Sequence, residues 1–318
     1  MQHFLASRQG QDIPIKHLYV EYRHWLEREK PFPDVTTELA TLARQGDDFR
    51  HIVSPEPSDI TWRICTFLET FDIRTVYPLL LAMMDAGLDD KEWIEISSIL
   101  ESYLLRRAVC NLTTKNYNRV FLSLTRNLKK EGFGAAHLKH HLLTQTGDST
   151  VWPDDVAFRE AWLHRSQYGV LNNPKLVHLF TALNQKFMSS KSEKIVFEKQ
   201  PSVEHIMPQE WIANWPLPDG SKGMSFVELI SAPESDPRSK ASRIRSSATQ
   251  TLGNLTILTS ELNAAQSNLA WAKKRPEMMK HSLLPINQTL LERDTWDETS
   301  ILERGTNLFQ KAITLWPR

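Results

Sequence analysis

Apolar residues recur at three- and four-residue spacing through the first two-thirds of the chain, and this spacing is what most constrains its fold. Such a period places apolar side chains along one face of an α-helix, and that face is buried against other helices. Clusters of Gly, Pro, Asn and Asp separate the segments, which share no fixed repeat period. We therefore predict an irregular helical domain over residues 1–190. Its predicted helices are 18–29, 37–53, 59–71, 75–87, 89–110, 115–131, 134–145, 154–165 and 174–188.

The pattern changes near residue 190, after the polar linker SSKSEK. The segments IVFEKQPSVEHIM (195–207) and TLGNLTILT (251–259) are rich in strand-forming residues. A helix is predicted over 260–275, with Ser260 as its N-cap, and another over about 297–315. We predict a second domain over residues 191–318, with a long insertion at 206–250. The whole protein is then mainly α with a small β part.

Composition limits the classes of function. Of 318 residues, 41% are apolar and 24% are charged, which is typical of a globular protein and argues against disorder. The 38 basic and 38 acidic residues cancel, so a nucleic-acid partner would need a local basic patch. The two cysteines lie far apart, which argues against a disulfide framework or a zinc cluster. This cysteine usage fits a reducing cytoplasm, so we expect a cytoplasmic protein, and with no membrane-length apolar run we expect one that does not enter a membrane.

Four polar residues of the second domain could form an active site. Glu204 and His205 end one predicted strand, Asn254 enters the next, and Asn263 lies in the first turn of the following helix. A neutral histidine can take a proton from water, and carboxylate and amide oxygens are ligands that Mg²⁺ and Mn²⁺ accept. A lone histidine after a strand is usually a structural core residue. The three further polar residues make an active site the better hypothesis.

These residues resemble a known family. The stretch EHIMPQ, followed by GNLTILTSELNAAQSN, resembles the ββα-metal (His-Me finger) core of HNH nucleases. More closely, the chain resembles the C-terminal half of GmrSD-type, modification-dependent restriction endonucleases, which include the phosphorothioate-sensing Ssp nucleases. This similarity extends to SYLLRRAVCNLTTKNYNRVF (102–121) and to the closing Trp-Pro. It implies an irregular helical domain followed by a ββα-metal nuclease core with flanking helices.

The resemblance also implies roles for single residues. His205 would be the base that activates water, Glu204 and Asn263 would bind one divalent ion, and Asn254 would steady the site. The ion would be Mg²⁺, with Mn²⁺ able to replace it. The implied activity is a DNA endonuclease or nickase, the effector part of a modification-dependent system that restricts phage DNA. The chain departs from the family pattern in having Glu where many HNH nucleases have Asp, and in the 45-residue connection from Ile206 to Gln250.

Family members also carry an N-terminal NTPase domain that senses DNA modification. No Gly-rich phosphate loop is present here, so we predict a C-terminal fragment or a stand-alone relative.

Two groups of cations are candidate DNA contacts, although a solvated loop and a helix C-terminus also explain them. They are Arg238, Lys240, Arg243 and Arg245 in the insertion, and Lys273 and Lys274 at the end of the predicted helix.

Two rival functions remain open at this point. The chain could be a non-catalytic helical interaction or DNA-binding module that serves a separate sensor NTPase domain, with residues 1–190 as the docking part. It could also be an RNA nuclease, because the predicted site recognises a phosphodiester and not a base.

Overall fold

Helices make up most of the molecule, and the sheet found in its described residues has two strands. The computed structural model describes residues 1–188, 199–233, 235–259, 261–262 and 268–318. The chain folds into two compact units. The first comprises residues 1–107 and 112–153 with residue 318, and the second comprises 108–111 and 154–317. The prediction of a mainly helical protein with a small β part is confirmed.

The first unit is a set of packed amphipathic helices. The helix over 117–131 buries Val120, Leu124 and Leu128, which are four residues apart and so share one face. The helix over 35–53 begins where the Asp34 carboxylate accepts the Thr37 backbone N–H at 2.7 Å. The helices are α1 (Gln2–Gln9), α2 (Leu18–Glu29), α3 (Val35–Val53), α4 (Trp62–Phe71), α5 (Tyr77–Asp85), α6 (Asp90–Val109), α7 (Tyr117–Glu131) and α8 (Ala135–Leu143), and the last two residues of α6 belong to the second unit.

The second unit holds the two strands among seven described helices. The predicted domain boundary between residues 190 and 191 lies outside the described residues, and the boundary between the two observed units falls between Pro153 and Asp154. The elements are α9 (Asp155–His164), α10 (Asn173–Phe187), β1 (Ser202–His205), α11 (Phe226–Ser231), α12 (Pro237–Ala248), β2 (Leu255–Leu258), α13 (Trp271–His281), α14 (Pro285–Leu291) and α15 (Glu298–Leu315), with 3₁₀ turns at Trp211–Ala213 and Leu252–Asn254.

The two strands form an antiparallel pair. Ser202 lies opposite Leu258, and His205 lies opposite Leu255. Each strand has four residues, fewer than the predicted 195–207 and 251–259. The second strand starts late because residues 252–254 form a 3₁₀ turn, and residues 195–198 of the predicted first strand lie outside the described part. Ser260 and residues 263–267 of the next predicted helix also lie outside it, and α13 begins at Trp271.

The connection between the strands contains regular structure that its apolar pattern does not reveal. Helix α12 starts with Asp236 as N-cap and Pro237 in the first turn. Its buried face contains Ser239 and Ser242, and such small polar residues give no hydrophobic period. The shorter α11 carries a complete capping box at Ser225. In its described residues, the predicted long insertion between the strands therefore contains the helices α11 and α12 and the 3₁₀ turn at Trp211–Ala213.

Helix α15 packs directly on the 3₁₀ turn that precedes β2. A Cβ atom built on Gly253 would lie 2.2 Å from the carbonyl oxygen of Ile301, so only glycine permits this approach. The Arg304 guanidinium donates through Nη1 to the carbonyls of Gly253 and Leu255, at 2.9 and 2.7 Å. Burial lowers the pKa of Arg304 to about 9, so it remains charged at pH 7. Helix α15 thus fixes the start of β2.

No helix in the described part of the chain combines the length and the apolar character that crossing a membrane requires.

Candidate active site

Asn254 joins the chain leaving β1 to the chain entering β2. Its side chain is fully buried. Its Oδ1 accepts the Met207 backbone N–H at 2.9 Å and the Trp296 indole N–H at 3.0 Å. Its Nδ2 donates to the carbonyls of Met207 and Thr249 at 2.8 and 2.9 Å. Both hydrogen-bonding atoms therefore hold the structure around the end of β1, and they contact the chain beside His205 instead of its imidazole.

His205, the last residue of β1, is buried to all but 7% of its surface. Its Nε2 lies 3.3 Å from Oε1 of Gln250, and the Tyr168 ring stands edge-on to it, with 4.4 Å between ring centroids. Burial, and more weakly the charge of Lys274, lowers the pKa of His205 to about 4, although the Gln250 contact opposes the shift. The imidazole is therefore neutral at pH 7, and one of its two nitrogens has a lone pair available for a proton.

Glu204 and Lys274 form a buried ion pair next to the histidine. The Lys274 ammonium lies 2.5 Å from Oε1 of Glu204 and donates to the His205 carbonyl at 2.9 Å. Burial raises the pKa of Glu204, against the lowering effect of the Lys274 charge, and burial lowers the pKa of Lys274. Consecutive strand residues point to opposite faces. Glu204 accordingly contacts α13, whereas the His205 ring faces Tyr168 and Gln250.

Of the two predicted metal ligands, Glu204 belongs to the described residues and Asn263 lies outside them. Among the residues that are described, no group of three or more His, Cys, Asp or Glu is placed to hold a metal ion. The carboxylate of Glu204 is a hard oxygen donor of the kind that Mg²⁺ accepts. One of its oxygens already contacts Lys274. The donor type fits a divalent ion, which would bind through the other oxygen or displace the ammonium.

The six predicted DNA contacts have different environments. Lys240, Arg243 and Lys273 are exposed. Arg238 is half-buried and pairs with Glu228 at 3.4 Å. The other two, Arg245 and Lys274, are buried and have structural partners.

Arg245 is held inside the second unit. Its Nε and Nη2 both donate to the Glu298 carboxylate, and its Nη1 donates to the carbonyls of Trp215 and Pro216 at 3.0 and 2.6 Å. Like Lys274, it stabilises the fold instead of presenting its charge at the surface. The sequence did not indicate that Arg245 is buried. Its side of α12 is lined with serines, and a buried helix face is predicted from apolar residues.

Gln250, Tyr168 and Lys274 contact the candidate site, and the sequence did not predict these contacts. Glutamine carries no acid–base chemistry, and Tyr168 lies between two predicted helices, 37 residues before His205. The sequence held one signal for such a contact, at Lys274. This cation comes three residues after the apolar Trp271 that begins α13, so both side chains lie on one face of the helix. These three residues could be identified as part of the site only from their contacts in the folded protein.

Comparison with known proteins places this unit in a family. A search of curated proteins found no match. The family model of the C-terminal domain of GmrSD restriction endonucleases matches residues 152–311, half of the chain, and this range nearly coincides with the second unit. The resemblance predicted from EHIMPQ and GNLTILTSELN is confirmed at the level of the family. The chain therefore belongs to the family of GmrSD restriction endonucleases, whose C-terminal domain it carries in residues 152–311.

Proposed function

We propose that the chain is an HNH-type DNA endonuclease that hydrolyses phosphodiester bonds with the help of one divalent metal ion. The observation that carries this proposal is the state of His205: it ends β1 in the family-matched unit, and its imidazole is neutral at pH 7 and held by contacts on two sides. The antiparallel pair β1–β2 and the helical segment after it agree in order with a ββα-metal core. The four functional residues are then Glu204, His205, Asn254 and Asn263.

The proposed reaction begins with proton transfer to His205. Water loses a proton to the imidazole lone pair, and the resulting hydroxide attacks the phosphorus. The bond between phosphorus and the 3′ oxygen breaks, and this oxygen takes up a proton from a second water, which leaves 5′-phosphate and 3′-hydroxyl ends. A base with a pKa near 4 holds a proton weakly. The negative phosphodiester, once bound beside the imidazole, raises its pKa and so makes His205 a better base.

The other residues hold reacting groups in place. Glu204 and Asn263 would bind the metal, Mg²⁺ with Mn²⁺ as a substitute, and Asn254 keeps the end of β1 against the start of β2. When bound, the metal supplies positive charge that stabilises the leaving 3′ oxygen. Lys274 holds the Glu204 carboxylate at 2.5 Å and thereby fixes the direction of its second oxygen.

The proposed substrate is DNA, in particular phage DNA in a modification-dependent restriction system. Lys240, Arg243 and Lys273 are exposed cations of the second unit that can contact phosphates. Either a nick or a double-strand break fits this chemistry. An NTPase that senses modification is the proposed partner, as a separate chain or a separate domain.

A second candidate function is a helical binding module in which the nuclease core is inactive or held off. The Glu204–Lys274 ion pair favours it, because Lys274 neutralises the proposed metal ligand. Such a protein would bind DNA or a sensor domain without cutting.

Plasmid nicking separates the two functions. Supercoiled plasmid is incubated with the protein and MgCl₂ or MnCl₂, and the relaxed and linear forms are quantified over time. A general base contributes roughly 10²–10⁴ in rate, so we expect His205→Ala to slow cleavage by at least about 100-fold. EDTA should abolish cleavage.

His281→Ala serves as the matched control. His281 lies on α13 with about half of its side chain exposed, and we expect this variant to cut like the wild type. Equal cleavage by the wild type and His205→Ala overturns the catalytic assignment. Binding without cleavage by either protein supports the module instead. Preference for RNA in a competition between RNA and DNA overturns the substrate.

A further inference from the structure

Gln250, just after the end of α12, forms hydrogen bonds with the segment 165–171, which follows α9. The Gln250 carbonyl accepts the backbone N–H groups of Gln167 and Tyr168 at 2.9 and 3.2 Å. The Gln167 side chain is fully buried and donates to the carbonyls of Val109 and Ala161 at 3.0 and 3.1 Å. The backbone that carries Tyr168 is therefore fixed by both its main chain and the residue before it.

The same two residues, Gln250 and Tyr168, meet the His205 imidazole from different directions. Oε1 of Gln250 lies 3.3 Å from Nε2, within hydrogen-bonding distance, and the Tyr168 ring is inclined at 69° to the imidazole with its centroid 4.4 Å away. The hydrogen bond restrains one edge of the ring, and the edge-to-face contact restrains its rotation about χ2. Two separate segments thus determine how one side chain is oriented.

The hydrogen bond also determines where the proton of the neutral ring lies. An amide oxygen only accepts, so Nε2 must be the protonated nitrogen when it faces Oε1 of Gln250. A neutral imidazole has one N–H, and which nitrogen keeps its lone pair is set by the hydrogen bond that the other makes. The lone pair is then on Nδ1.

We propose that Gln250 and Tyr168 are positioning residues of the nuclease site, which hold the His205 ring with Nε2–H on Gln250 and leave Nδ1 to accept the proton from water. This inference rests on the proposed function. Neither residue touches the reacting atoms in this mechanism, and both act through the orientation of His205. Because the backbone carbonyl of Gln250 also holds Tyr168, its side chain and its main chain serve the same purpose.

The ring nitrogens can be observed directly by NMR. We would record long-range ¹H–¹⁵N spectra of the ¹⁵N-labelled protein at pH 7 in EDTA, with His205→Ala used to assign the signals. The expected result is a protonated Nε2 whose proton exchanges slowly with water, and an unprotonated Nδ1. A protonated Nδ1, or a rapidly exchanging Nε2 proton, in the wild type overturns the proposal whatever the variants do.

Substitutions at Gln250 test the acceptor. Gln250→Met keeps the length of the side chain and removes the oxygen, whereas Gln250→Glu keeps an accepting oxygen. We expect Gln250→Met to lose the slowly exchanging proton and to lower kcat by about 10-fold or more with little change in KM, in line with other hydrogen-bond partners that orient histidine. Gln250→Glu should recover the proton signal and most of kcat.

Substitutions at Tyr168 test the ring contact. Tyr168→Phe keeps the aromatic edge, and Tyr168→Ala removes it. We expect the larger fall in kcat in Tyr168→Ala, with the Nε2–H signal broadened by ring motion. Equal falls in both variants would overturn the role of the ring contact.

Failure of this inference differs from failure of the proposed function. If His205→Ala is inactive while Gln250→Met has wild-type kcat and an unchanged ring spectrum, the positioning role is wrong and the nuclease stands. If His205→Ala cuts plasmid like the wild type, the proposed function is wrong, whichever tautomer the spectrum reveals.

Discussion

Burial of the His205 imidazole determines how stability responds to pH. Its pKa is about 4 in the folded protein, against 6.5 for the exposed side chain. As the pH falls below 6.5, the unfolded chain takes up a proton that the folded protein does not, so the folded state loses stability until the pH passes about 4. One pKa unit corresponds to about 1.4 kcal/mol, which gives a loss of about 3 kcal/mol at pH 4.

Urea unfolding in EDTA checks this value. We expect the free energy of unfolding of the wild type to fall by about 3 kcal/mol more than that of His205→Ala between pH 7 and pH 4. The difference between the two proteins isolates the histidine, because other titrating groups are common to both. Parallel pH profiles would mean that His205 is open to solvent.

The buried Glu204–Lys274 ion pair leads to a second prediction about stability, which concerns the removal of one of its two charges. Lys274→Met leaves Glu204 buried without a cation, and breaking a buried ion pair from one side typically costs about 3–5 kcal/mol. Glu204→Gln combined with Lys274→Met removes both charges and should restore much of that loss. Urea unfolding at pH 7 of the two single variants and the double variant measures the coupling energy, and additive losses would show that the two groups do not interact.

At the scale of elements, helix α15 packs closely on the 3₁₀ turn at Leu252–Asn254. In Gly253→Ala the new methyl group meets a backbone carbonyl at 2.2 Å, and the helix must move away from the turn. Overpacking of this kind typically costs about 1–3 kcal/mol. We expect a lower melting temperature and weaker plasmid nicking, because the displaced turn carries Asn254.

Gly46→Ala is the control for this substitution. Gly46 lies inside α3, and a Cβ atom there meets nothing within 4 Å. Alanine favours the helix over glycine by up to about 1 kcal/mol, so this variant should be slightly more stable than the wild type. A Gly253→Ala protein as stable as Gly46→Ala would contradict the close packing of α15.

Elements with an apolar face were predictable from the sequence, and elements stabilised by polar contacts were not. Helix α7 buries a regular stripe of valine and leucine, and its predicted range 115–131 nearly matches the observed Tyr117–Glu131. Helix α12 buries serines and Arg245, so its sequence has no apolar period. The Glu-His pair at the end of β1 and the asparagine before β2 were found by residue type and spacing. Gln250 and Tyr168 reach His205 only through tertiary contacts, which no local pattern encodes.

For the whole molecule, electrostatic attraction to DNA must come from a local patch, since the net charge is zero. Each phosphate that a cation neutralises contributes about −0.9 to the slope of log K against log salt concentration. We expect Lys240→Ala and Lys273→Ala each to reduce the steepness of this slope by about 0.9. Binding is measured by fluorescence anisotropy in EDTA, so that the DNA stays intact. Unchanged slopes in both variants would place the DNA elsewhere on the protein.

The dependence of Asn254 and Gly253 on later residues has a consequence for the timing of synthesis. The indole that bonds Asn254 belongs to a residue made 42 positions later, and the guanidinium that holds the Gly253 carbonyl to one made 51 positions later. On the ribosome, β2 therefore emerges well before the side chains that anchor its start. Until Trp296 and Arg304 have been made, the start of β2 lacks the hydrogen bonds that hold it, so the region around Asn254 is completed late in synthesis.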